Sequence, residues 1–204
     1  MHIVCFGDSI TRGYDVPYGL GWVELCAEAM SHTQFTNYGI DGLSVQGLFN
    51  RVEAWSSTAS YDRNRYIFLM CGTNDILQGR DADYVFRILV KAIEQAAEKG
   101  RVIIGLETQI DSDMDGINRE VVAVNDRLKD YAAKHHHKTI DFYSTLNEAD
   151  RNGQIVFAGE VHPNELGGYR LMSQTALKVF LQLGKMEWGG NEDGTLGCMQ
   201  GHLM

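Results

Sequence analysis

"HIVCFGDSITRG", residues 2–13, opens on an apolar run that ends at a glycine and turns at once into short polar residues. The run "HIVCF" (2–6) is β-branched, aromatic and thiol-bearing without alternation, the pattern of a strand covered on both faces. Gly7, Asp8, Ser9, Ile10 and Thr11 then read as a strand-to-helix turn. In an open parallel sheet such a turn lies outside the carboxyl end of a strand, where ligands and active sites gather. This stretch therefore suggests both a fold and a place for chemistry, provided that strands and helices alternate behind it.

They do. "RYIFLM" (65–70), "RVIIGLE" (101–107) and "KTIDFY" (138–143) read as further buried strands. Apolar residues at spacings of three and four mark the helices between them. Ile88, Leu89, Ala92, Ile93, Ala96 and Ala97 form one stripe after Val85. Ile117, Val121, Val124, Leu128 and Tyr131 form a second, and Leu171, Met172, Ala176, Val179, Phe180 and Leu183 a third. Alternation of this kind implies an α/β fold, a three-layer α/β/α sandwich around a central parallel sheet. There is no internal repeat and no linker.

The 204 residues suit one domain, long enough to bury roughly two-thirds of its unfolded surface. A hydrophobic fraction of 44% is ordinary for a globular chain. Eighteen basic against 27 acidic residues give a net charge of −9, which argues against nucleic acid as a partner and leaves a small neutral substrate open. No apolar run approaches the roughly 18–20 residues of a membrane span. The first apolar stretch follows Met1-His2 without a basic leader, so the expected location is cytoplasmic. Cys5, Cys26, Cys71 and Cys198 lack CxxC spacing and are expected as buried thiols rather than zinc ligands or a disulfide frame. The triplet His135-His136-His137 falls at a helix end, where adjacent side chains diverge too far to share a metal easily. From Gly184 the chain turns glycine-rich and aperiodic, which divides it into a body (1–184) and a tail (185–204). The tail is read as a flexible extension, or as a segment that docks on the body or on a second subunit of a homo-oligomer through Trp188, Leu196 and Met199.

Four segments carry residues suited to acyl transfer. Ser9 in "FGDSITRG" stands on the first strand-to-helix turn, although a serine there is often only a helix cap. Gly39 in "NYGIDG" (37–42) lets the backbone approach a ligand, or simply makes a turn. Asn74 in "MCGTNDI" (70–76) offers a carboxamide donor at a strand end, or caps its own loop. His162 in "FAGEVHPNELGGY" (157–169) precedes the last helix. Acyl transfer needs a nucleophile, a base, and donors aimed at the developing negative oxygen; the four segments supply one of each.

In this order and context, "FGDSIT", "NYGIDG", "CGTND" and "VHPNELGGY" resemble the blocks of the GDSL, or SGNH, hydrolase family over about residues 2–184. The resemblance implies a flavodoxin-like α/β/α sandwich and a serine ester hydrolase without metal or organic cofactor. It implies Ser9 as nucleophile and His162 as base. The Ser9 and Gly39 N–H groups and the Asn74 amide would be the oxyanion donors. One feature departs from the family, which usually carries Asp three residues before the histidine. Here Gly159 holds that place and Glu160 follows it. Glu160 could orient His162, because residues two apart in an extended segment face the same side. A backbone carbonyl or water could instead hold a Ser-His dyad, as in some carbohydrate-esterase relatives, or the site could be impaired and serve only for binding. The loops "GYDVPYGLGW" (13–22), "LQGRDAD" (77–83) and "TQIDSDMDGIN" (108–118) would line the pocket. The last is acidic and lacks an apolar run, which favours a short acyl group, while Tyr14, Tyr18 and Trp22 could stack on a sugar but are expected to pack in the core.

Overall fold

The computed structural model describes residues 1–110 and 116–188, with side chains to Gly184. Residues 111–115 of the acidic loop and 189–204 of the tail, with Leu196, Cys198 and Met199, lie outside the described residues.

The element order is β1 (His2–Gly7), α1 (Ser9–Arg12), α2 (Trp22–Ala29), β2 (Gln34–Gly39), α3 (Val45–Thr58), β3 (Arg65–Met70) and α4 (Thr73–Leu77). There follow α5 (Ala82–Ala97), β4 (Arg101–Leu106), α6 (Ile117–His135), β5 (Lys138–Asp141), α7 (Phe142–Arg151) and α8 (Gly168–Trp188). The five strands pair in the order β2-β1-β3-β4-β5, every pair parallel.

Strand alternation divides the core between the two faces of the sheet. Val4, Phe6, Ile67, Leu69, Val102 and Ile104 pack under α3, α5 and α6. Ile3, Cys5, Tyr66, Phe68, Met70 and Ile103 pack under α2, α7 and α8, around the fully buried Trp22. The four strands expected from apolar runs are present, and each expected helical stripe lies on a helix. The expected α/β/α sandwich is therefore the observed fold.

Three features differ from the expectation. β2 is one of the two edge strands, and its sequence "QFTNYG" is only half-buried, so it lacks the continuous apolar run of the inner strands. The strand expected over 138–143 stops at Asp141, whose carboxylate accepts from the Ser144 N–H and turns Phe142 and Tyr143 into the start of α7. Helix α8 also continues to Trp188, past the Gly184 at which composition changes.

β1 neighbours β2 on one side and β3 on the other, so the connections leaving its carboxyl end diverge and open a crevice there. Ser9 follows β1, Gly39 ends β2, and Asn74 follows β3.

Candidate active site

Ser9 is the first residue of α1 rather than its cap. Asp8 caps the helix, its Oδ1 accepting from the Ile10 N–H at 3.0 Å. Ser9 is thus free of the structural duty that serines at such turns often carry. Among the described residues its amide makes no hydrogen bond, as expected for a first-turn N–H. Its Oγ lies 3.0 Å from His162 Nε2.

The chain positions His162 through a turn. Phe157 and Pro163 form an antiparallel bridge, and the Ala158 N–H donates to the His162 carbonyl at 2.9 Å. Asn164 secures the base of this turn. Its Nδ2 donates to the Ile155 carbonyl at 2.8 Å, and its Oδ1 accepts from the Gly167 and Gly168 N–H groups at 2.7 and 3.2 Å. Gly168 admits the close approach of α8, since a Cβ there would stand 2.5 Å from the Pro163 Cβ. The sequence signal for this role is an Asn two residues past the histidine and shortly before Gly167-Gly168.

Glu160 does not meet His162. The segment is bent, not extended, so the same-side relation expected of residues two apart does not hold. Glu160 occupies the exposed tip of the turn and makes no hydrogen bond or ion pair among the described residues. Nor does any group described here hydrogen-bond to His162 Nδ1. The imidazole instead packs against Tyr14, ring centroids 4.6 Å apart at 42°. Burial lowers the His162 pKa, against the opposing pull of the Asp15 and Asp41 carboxylates. Of the three aromatics expected to pack, Trp22 is in the core, but Tyr14 and Tyr18 are exposed.

Gly39 is required where β2 meets α1: a Cβ would stand 2.6 Å from the Arg12 Cα and 2.8 Å from the Thr11 carbonyl carbon. Its N–H donates to Asn37 Oδ1 at 2.9 Å. Asn37 Nδ2 in turn donates to the Thr11 carbonyl at 2.9 Å and to Glu24 Oε1 at 2.8 Å, tying the ends of β2, α1 and α2 together. Asn74 follows Gly72, whose φ of 150° suits glycine, and its Nδ2 donates to the Leu43 carbonyl at 3.1 Å, leaving its second N–H available. Leu43 also receives the Cys71 thiol at 3.2 Å, and Asp75 accepts from the Val45 N–H at 2.8 Å.

Beneath these residues lie two carboxyls that the sequence reading left aside. Asp8 and Glu107 are each 1% exposed. Glu107 Oε2 accepts from the Thr73 hydroxyl at 2.7 Å, while Glu107 Oε1 and Asp8 Oδ2 have no partner among the described residues. Burial pushes the Asp8 carboxyl up to about 7, with Asp75 adding to the rise. Burial raises Glu107 well above the usual range, and the Asp8 charge raises it further. No group of residues suited to a metal ion occurs among the described residues.

A serine just past a strand end and 3.0 Å from a histidine is an arrangement suited to acyl transfer. The family model of the GDSL-like lipase/acylhydrolase family matches residues 5–170, and the chain belongs to that family of ester hydrolases. It is similar in structure to a member of the lipolytic protein G-D-S-L family from Veillonella parvula DSM 2008, at 66% identity and a TM-score of 0.87, over 89% of this chain and 99% of that one. An acetylxylan esterase from Geobacillus stearothermophilus shares the fold at 17% identity and a TM-score of 0.73, over 87% of this chain and 92% of that one. No curated protein matches the chain.

Proposed function

We propose that the protein hydrolyses a short-chain acyl ester through an acyl-Ser9 intermediate, with His162 as the base. The observation that carries this reading is the 3.0 Å approach of Ser9 Oγ to His162 Nε2. Ser9 Oγ attacks the acyl carbonyl carbon while its proton passes to Nε2. The tetrahedral oxyanion is held by the unbonded Ser9 N–H and the second amide N–H of Asn74. The Gly39 N–H joins them as the substrate oxygen competes with Asn37 Oδ1 for it. Collapse breaks the ester C–O bond, and the imidazolium returns the proton to the departing alcohol. Water, deprotonated by His162, then attacks the acyl-enzyme and releases the acid. With Glu160 at the turn tip, the pair works as a Ser-His dyad.

A cavity of about 880 Å³ is lined by Arg12, Tyr14, Asp15, Tyr18, Glu24 and Gly39 among others, and Tyr14 connects it to the ring of His162. Its polar, aromatic lining favours a hydroxyl-rich leaving group, which supports a second reading, removal of acyl groups from a carbohydrate. No described helix is long and apolar enough to cross a membrane. Buried free thiols at Cys5, Cys26 and Cys71 support a reducing, cytoplasmic setting.

The test is hydrolysis of p-nitrophenyl acetate by the wild type and by Ser9→Ala. Turnover that disappears in the variant supports the enzyme. Wild-type turnover no faster than the variant's leaves only a binding module.

A further inference from the structure

The geometry points to Tyr14 as the positioning residue of His162, an aromatic clamp on the face of an imidazole whose Nδ1 has no described partner. The inference rests on the Ser9–His162 chemistry proposed above. An imidazole on an exposed turn needs a restraint on its ring rotation to present Nε2 to a nucleophile, and Nδ1 has no described partner to supply one. The face of the ring does, through the 4.6 Å contact with Tyr14.

Tyr14 is itself fixed from both sides of the site. Its N–H donates to the Ser9 carbonyl at 3.0 Å, so its backbone hangs from the residue that carries the nucleophile. Its carbonyl accepts from the Tyr169 hydroxyl at 3.1 Å. Tyr169 is fully buried in α8, and its own N–H donates to the Asn164 carbonyl at 2.9 Å, the residue that secures the histidine turn. These bonds link the Tyr14 backbone to Ser9 and, through Tyr169, to Asn164, two residues beyond His162 in the histidine turn. Rotation of the His162 ring away from Ser9 gives up its contact with the Tyr14 ring.

The electrostatics fit a clamp that also dries the ring. Asp15, held at a φ of 67°, and Asp41, ion-paired with Arg12 at 2.7 Å, are the charges that favour a protonated imidazole. On the histidine's own segment, Glu160 and Glu165 make no ion pair among the described residues, and Ser9 faces Nε2. Burial outweighs the two aspartates, and the Tyr14 ring supplies part of that burial.

The experiment compares Tyr14→Ala, Tyr14→Leu and Tyr14→Phe in ester hydrolysis and in NMR titration of the His162 ring. Loss of the ring in Ala is expected to lower kcat by about 10²-fold, the scale of an ångström-level misplacement, with KM changed far less. The His162 titration moves to higher pH as water reaches the imidazole. Phe, which keeps the ring, recovers most of both effects; Leu, which fills space without an aromatic face, recovers less. Tyr14 is 41% exposed, so these variants are expected to fold, and Leu serves if Ala does not. A folded Ala or Leu variant with wild-type kcat and an unmoved His162 titration overturns the proposal, as does a Phe variant no better than Ala. A wild type that hydrolyses no ester defeats the esterase reading instead, and the titration still judges the clamp.

Discussion

The hydroxyl of Ser9 and the imidazole of His162 meet at 3.0 Å across 153 positions of sequence, while Glu160, two residues from the histidine, makes no bond to it. Glu160→Gln is accordingly expected to change kcat/KM by less than about twofold, as for an exposed charge without a partner. His162→Ala is expected to cost about 10⁴-fold or more in kcat, the scale found when such pairs are broken in serine proteases. A loss in Glu160→Gln close to that of His162→Ala would restore the acid to the site.

Removing the Asn74 amide separates catalysis from folding. Asn74→Ala is expected to lower kcat by about 10²–10³-fold as an oxyanion donor is lost. Stability changes by no more than about 1 kcal/mol, because the Leu43 carbonyl keeps the Cys71 thiol as a partner. Urea unfolding beside steady-state kinetics reads both quantities.

Gly39→Ala acts through packing. The added Cβ would stand 2.6 Å from the Arg12 Cα, with backbone rather than a yielding side chain in its way. Overpacking of this kind costs about 1–3 kcal/mol, which denaturant unfolding resolves.

Neutral imidazole is the base, and burial lowers the pKa of His162. The base form therefore persists to lower pH, and the acidic limb of kcat/KM is expected below the ordinary histidine value of 6.5. A limb at or above that value contradicts the environment described for the ring.

The carboxyl of Asp8 has the opposite shift. Its folded value, about 7, lies above its ordinary 3.8, so the folded state binds more protons between the two. Stability from this group is full below the ordinary value and is lost as pH rises through the folded one. Asp8→Asn keeps an oxygen for the Ile10 N–H and removes the charge facing Glu107. Thermal unfolding is expected to show the variant gaining most on the wild type at pH 8, less at pH 5 and least below the ordinary value of 3.8.

The inner strands were legible because burial on both faces leaves an unbroken apolar run, as in "RYIFLM". β2 was not, because no residue of it is fully buried and it carries Gln34, Thr36 and Asn37, whereas "KTIDFY" at the other edge was marked by the buried Ile140 and Phe142. Ser9, Gly39, Asn74 and His162 could be picked out as motif residues at strand ends and before the last helix. The company they keep could not: the Tyr14 ring on His162 and the pairing of Asn37 with Glu24 depend on long-range packing that local spacing does not encode. The same-side geometry expected of Glu160 presumes an extended backbone, and the Ala158–His162 bond bends it.

The most direct measurement of the proposed chemistry is covalent trapping with a fluorophosphonate, followed by peptide mapping of the labelled protein. The phosphonyl group should sit on Ser9, with labelling abolished in Ser9→Ala and strongly slowed in His162→Ala. Labelling at another residue, or at Ser9 with an undiminished rate in His162→Ala, would contradict a nucleophile activated by that histidine.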